Sequence, residues 1–145
     1  MERYDIAIIG TGPGGISAAI TAKVRGKRLV LFGSRHLSEK LEKAHSILNY
    51  PGLSNISGPD LAQAFREQLD SLDIPITQKQ ITAVYAMGDY FVLQTPDDMV
   101  EATTVILAAG VVTAKALPGE NDLLGRGVSY CATCDAHFYR GKTVA

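Results

Sequence analysis

Tryptophan is absent from this chain, and cysteine occurs only twice in 145 residues, at Cys131 and Cys134. So little cysteine excludes a fold stapled by a framework of disulfides. Nor is there an excess of charge of either sign: 14 Lys and Arg stand against 15 Asp and Glu, a formal net charge of −1. That balance gives no reason to expect nucleic acid or an anionic membrane surface as a partner. No apolar run approaches the roughly 20 residues that span a bilayer. Met1-Glu2-Arg3 leads straight into an apolar strand pattern, without the regions of a secretory signal, so the cytoplasm is the expected compartment. Internal repeats and low-complexity tracts are also absent. What is there, 46% hydrophobic and 20% charged residues, is ordinary for a globular domain.

The two cysteines form Cys131-Ala132-Thr133-Cys134, followed at once by Asp135. Thiols at this spacing, on a turn or at a helix start, can close a small reversible disulfide ring. A helix N-terminus or a nearby cation favours the nucleophilic thiolate, and Asp135 is placed to move a proton to or from the departing sulfur. Two other readings compete. A zinc half-site would need two more ligands; no second Cys-x-x-Cys or His-x-x-x-His exists and His137 is the one nearby histidine, so no metal is expected. A purely structural disulfide across so short a loop would stabilise little, because loop-closure entropy grows with loop length.

A second motif stands at the other end. Tyr4-Asp5-Ile6-Ala7-Ile8-Ile9 reads as a buried parallel strand and enters Gly10-Thr11-Gly12-Pro13-Gly14-Gly15, which fits G-x-G-x-x-G. Gly10 permits the tight turn, Gly12 lets backbone approach a pyrophosphate, and Gly15 lets the following helix pack on the strand. Pro13 suits the first helical turn, where its missing N–H costs nothing. Ile16, Ala19, Ile20, Lys23 and Val24 continue at helical spacing, Gly26 ends the helix, and 28–32 is a second strand. Strand, glycine turn, helix and strand together identify a dinucleotide site. The acid that often follows the second strand to hold a ribose hydroxyl is missing; Gly33-Ser34-Arg35-His36 stands there, with Ser34 able to donate to a hydroxyl and Arg35 to approach a phosphate. The motif alone does not separate FAD from NAD(P).

Between the motifs, 36–58 carries few regular signals beyond a possible helical turn at 38–43. Ser57 or Gly58 caps a helix over about 59–72, whose inner face reads Leu61, Ala64, Phe65, Gln68, Leu69 and Leu72. Residues 76–87 and 90–95 read as strands joined through Gly88-Asp89, and 103–109 as an apolar strand ending at Gly110. The expected architecture is α/β and three-layered: a Rossmann-like domain with a parallel sheet and a small antiparallel meander that returns to it. Residues 114–130 read as a connector broken by Leu117-Pro118-Gly119 and Gly125-Arg126-Gly127.

With these residues assembled, the chain resembles the low-molecular-weight thioredoxin reductases, FAD-dependent members of the pyridine nucleotide-disulfide oxidoreductases. The resemblance is carried by Gly10 to Gly15, Asn49-Tyr50-Pro51-Gly52, Leu107-Ala108-Ala109-Gly110, Leu117-Pro118-Gly119-Glu120 and the block from Gly125 through Cys131-Ala132-Thr133-Cys134-Asp135. It implies that Gly10, Gly12, Pro13, Gly14 and Gly15 hold the FAD pyrophosphate, that residues 33–40, Gly33, Ser34, Arg35 and Lys40 among them, lie along the adenosine-ribose side, that Asn49 sits near the flavin ring, and that Ala108, Ala109 and Gly110 approach the cofactor. It implies that Cys134 exchanges electrons with the flavin, Cys131 attacks a thioredoxin-like protein and Asp135 is the acid/base. Two departures stand out: Ser38-Glu39-Lys40 replaces the family's usual Gly-Gly-Gln, and Ala108-Ala109-Gly110 replaces Ala-Thr-Gly.

By the same resemblance, 1–113 is a FAD-binding domain without its C-terminal return segment, and 114–145 is a connector and redox segment at the start of an NADPH domain. The NADPH site of the intact enzyme, a homodimer in this family, would then lie outside the chain, which alone would be inactive. Two alternatives differ in class: an enzyme of the same fold fed by another donor such as ferredoxin, and a non-catalytic nucleotide-binding module.

Overall fold

The computed structural model describes residues 3–111, 116–129 and 136–144. β1 (Tyr4–Ile9) and β2 (Leu29–Phe32) pair in parallel, Ile8 opposite Leu31. Apolar side chains cover both faces, which is why their sequences read as apolar runs. The strand period of two still sorts them: Ile6, Ile8, Leu29 and Leu31 join one core, while Ala7, Ile9, Val30 and Phe32 join another.

α1 (Pro13–Val24) starts with Pro at its first turn on an extended Gly12. It closes as a Schellman turn: Lys27 N–H donates to the Ala22 carbonyl and Gly26 N–H to that of Lys23, with Gly26 at φ +67°. Gly15, Ile16, Ala19 and Ala22 are buried, whereas Val24, which continues the helical spacing, is exposed. α2 (Glu39–Glu42) is the short helical turn expected near 38–43. α3 (Gly58–Ser71) is capped by Ser57, whose hydroxyl oxygen accepts from the Asp60 N–H at 3.2 Å. Its buried stripe is Leu61, Ala62, Phe65 and Leu69; Gln68 is exposed, so the stripe lies rotated toward Ala62 and away from the expected Gln68.

The stretch 76–87 is not one strand. β3 (Ile76–Thr77) pairs in parallel with β2, the chain then crosses through 78–82, and β4 (Ala83–Ala86) pairs antiparallel with β5 (Phe91–Gln94). The β4–β5 turn is the expected Gly88-Asp89 pair, Gly88 at φ +92° and Met87 N–H donating to the Tyr90 carbonyl. β6 (Met99–Leu107) begins four residues before the expected 103, because the turn closed by Thr95 and Asp98 returns the chain directly into pairing with β5. Its first residues pair with β5 and its last with β1, so one strand joins the meander to the parallel sheet.

The sheet order is β3-β2-β1-β6-β5-β4. α1 and α3 pack on one face of the parallel part. On the other, the meander curls over so that Leu93 of β5 packs with Ala7, Val30 and Phe32. Helices, parallel sheet and curled meander are the three layers of a Rossmann-like fold. The carboxyl ends of β1, β2, β3 and β6 open together, the place where open α/β sheets bind ligands.

Candidate functional site

At those carboxyl ends lies a cleft of about 420 Å³. Its floor is built by close approaches that exclude side chains. A Cβ on Gly10, which sits at φ +118°, would fall on the Ala108 carbonyl oxygen, and one on Gly15 would fall on the Gly10 carbonyl oxygen. Gly10 N–H donates to the Phe32 carbonyl at 2.8 Å and Ala108 N–H to that of Ile9 at 2.8 Å, so the loop is sewn to its flanking strands. These two glycines serve the fold.

Gly12 and Gly14 differ. A Cβ on either would meet no protein atom within 4 Å, and Gly12 has φ −75° and ψ 177°, which any residue adopts. Gly12, as the N-cap of α1, offers no side chain to its first turn. The first N–H groups of a helix lack partners inside it, and here a ligand anion can take them. Backbone close to open space at a helix N-terminus fits a dinucleotide diphosphate.

The second wall is held by Thr11, a residue the glycine motif leaves unassigned. It is 3% exposed. Its hydroxyl oxygen accepts from the Ser34 N–H at 3.1 Å and lies 3.0 Å from the Leu37 carbonyl, to which it donates. Leu37, buried, adopts φ +59° in the turn so held. A Cβ on Gly33 would come within 2.5 Å of the Thr11 hydroxyl oxygen, so this glycine too is required by packing.

Of the residues expected at the cofactor, Gly10, Gly12, Gly33, Ser34, Ala108, Ala109 and Gly110 line the cleft together. Pro13, Gly14 and Gly15 form the start of α1 beside it. Arg35 is exposed just past Ser34, whose hydroxyl accepts from the His36 N–H at 3.1 Å. Lys40 does not line the cleft; its ammonium donates to the Val111 carbonyl at 2.9 Å, bridging the α2 turn to the chain leaving β6. Asn49 is exposed and away from the lining, in a loop that Tyr50 fixes to α3 through an edge contact with Phe65 at 5.6 Å. Thr11, Leu37 and Ser38 also line the cleft, within the stretches expected there; so do Lys79, Gln80 and Ile81, which were not expected. The last three follow β3, whose end was hidden inside an apparent long strand.

Cys131, Cys134 and Asp135 lie outside the described residues. His137 stands in a short 3-10 turn (Ala136–Tyr139), exposed, its ring 3.9 Å from that of Phe138. Among the described residues no three His, Cys, Asp or Glu cluster in a way that could hold a metal, and no helix is long and apolar enough to cross a membrane.

The fold and cleft define an α/β protein of Rossmann-like architecture, open at the carboxyl ends of its parallel strands. The sequence pattern of the pyridine nucleotide-disulphide oxidoreductases matches residues 4–143, and the chain belongs to that family. It is 36% identical over 143 residues to the thioredoxin reductase of Treponema pallidum, covering 97% of this chain and 47% of that protein. Among solved structures it is similar to a ferredoxin-flavin thioredoxin reductase from Clostridium acetobutylicum, at 54% identity and TM-score 0.77, over 99% of this chain and 50% of that one. The thioredoxin reductase of Streptococcus pyogenes matches at 36% identity and TM-score 0.83, over 95% of this chain and 45% of that one. The chain thus spans about half the length of these relatives.

Proposed function

We propose that the chain is part of a flavin-dependent thiol-disulfide oxidoreductase of the thioredoxin reductase type. The observation that carries this reading is the division among the glycines: Gly10, Gly15 and Gly33 are demanded by protein atoms, whereas a Cβ on Gly12 or Gly14 would meet no protein atom within 4 Å, and Gly12 lines the cleft. Gly12 and Gly14 would bind the diphosphate of FAD through backbone N–H groups, and Ser34 would meet the ribose. Ala108, Ala109 and Gly110 would bring the end of β6 against the rest of the cofactor. FAD, when bound, supplies the electron transfer between a donor and the disulfide. Cys131 and Cys134 would form that disulfide, with Cys131 attacking a thioredoxin-like protein and Asp135 handling the proton. On this reading 1–113 is the cofactor domain and 114–145 the redox segment. No described residue past Gly110 is buried, in keeping with such a division.

Two donors are in view. NADPH follows from the family as a whole. A ferredoxin-type donor is favoured by one observation: identity is 54% to the ferredoxin-flavin enzyme and 36% to the Streptococcus pyogenes thioredoxin reductase, over nearly the same residues. The test is anaerobic mixing of the native protein, loaded with FAD, with NADPH or with reduced ferredoxin, followed by visible absorbance and by free thiols. We expect bleaching and two new thiols with reduced ferredoxin and neither with NADPH. Bleaching by NADPH returns the donor to the family's usual one, and failure to hold flavin refutes the reading altogether.

A further inference from the structure

The rim of the cleft on its β2–β3 side carries charges that the diphosphate reading does not use. β2 and β3 end in register, Phe32 opposite Thr77, and Gly33 N–H donates to the Thr77 carbonyl at 3.2 Å. Two residues further along each strand stand Ser34 and Lys79, both lining the cleft. Lys79 is the one charged residue of the fifteen that line it, and none of the fifteen is a carboxylate. Arg35 follows Ser34, and both Lys79 and Arg35 are exposed. Among the described residues neither makes an ion pair.

The position of this rim gives the charges a meaning. A diphosphate held at the start of α1 sends its adenosine toward the second strand, so the ribose hydroxyls arrive beside Ser34 and Lys79. A dinucleotide fold that selects a bare ribose places a carboxylate there. The carboxylate accepts from the 2′-hydroxyl and repels a phosphate; a fold that takes a 2′-phosphate has a cation nearby in its stead. This chain has the second pattern. The Ser34 hydroxyl oxygen already accepts from His36 N–H, which leaves its proton free to donate outward.

We propose that the adenosine end of this cleft takes adenine nucleotides that carry a phosphate on the ribose 2′-hydroxyl, with Lys79 and Arg35 facing that phosphate. Such nucleotides then compete with FAD where an acidic rim would turn them away. The inference rests on the nucleotide reading of the cleft.

Titration calorimetry on the chain with AMP, ADP and adenosine 2′,5′-bisphosphate tests it. Two exposed charge contacts should make the bisphosphate bind about tenfold tighter than AMP at low salt. The advantage should shrink as salt approaches 0.1 M and above, where screening falls within about 10 Å. In Lys79→Gln with Arg35→Gln the two affinities should converge while ADP still binds, and Lys79→Glu should reverse their order. Equal affinities in the unmodified chain with ADP binding intact overturn this proposal alone, as does an advantage that survives the double substitution. If none of the three nucleotides binds, the nucleotide reading fails and the proposal falls with it.

Discussion

One hydroxyl, on Thr11, ties the glycine loop to the turn behind it. Its oxygen accepts from Ser34 N–H and its proton serves the Leu37 carbonyl, in a buried position. Leu37 holds a left-handed backbone that costs a residue with a Cβ about 1–2 kcal/mol, so the clamp maintains a strained turn. Thr11→Val keeps the shape, strands the Ser34 N–H, and should cost about 1–3 kcal/mol. Denaturant unfolding checks this, and ADP affinity should fall with it as the Ser34 wall relaxes. A variant as stable as the parent would mean the clamp is dispensable. The sequence pattern fixes only glycines in this loop, so Thr11 occupied an unassigned position. A hydroxyl with a branched Cβ beside Gly33 was the available sign, and it means something only once β2 is known to end there.

At the scale of elements, α2 and α3 meet at Gly58. A Cβ there would fall on the Leu41 carbonyl oxygen, and Gly58 N–H donates to the Ala44 carbonyl at 2.8 Å. In an open helix Gly→Ala stabilises by about 1 kcal/mol. Here Gly58→Ala should instead destabilise by about 1–3 kcal/mol through overpacking, so the sign of the change in melting temperature decides; a rise contradicts the packing. α1 and α3 were legible because both carry start signals, Pro13 and Ser57, and an apolar stripe. The end of β3 was not. Ile76 through Ala86 has no glycine or proline to mark a break, and the break arises because Ile76 and Thr77 pair with β2 while Ala83–Ala86 pair with β5. Lys79, Gln80 and Ile81 therefore reached the cleft unannounced. Lys40 was placed at the cofactor by resemblance; its ammonium donates to the Val111 carbonyl, next to the cleft-lining Gly110.

At the scale of the molecule, a parallel sheet opens its carboxyl ends into one cleft, and β6 carries the meander that closes the opposite face. The glycine pattern made this arrangement readable, because Gly10 and Gly15 are forced by strand–helix contact in any chain that folds this way. Gly12 is the position where fold and ligand separate. A side chain there meets no protein atom within 4 Å, and the backbone is already extended. The central claim is that this cleft binds FAD through the backbone at Gly12. FAD titration of the unmodified chain and of Gly12→Val, followed by flavin fluorescence with melting temperature as the folding control, tests it most directly. The account predicts saturable binding by the unmodified chain and loss of binding in Gly12→Val at an unchanged melting temperature. Equal binding by the two proteins, or none by the unmodified chain, would contradict it.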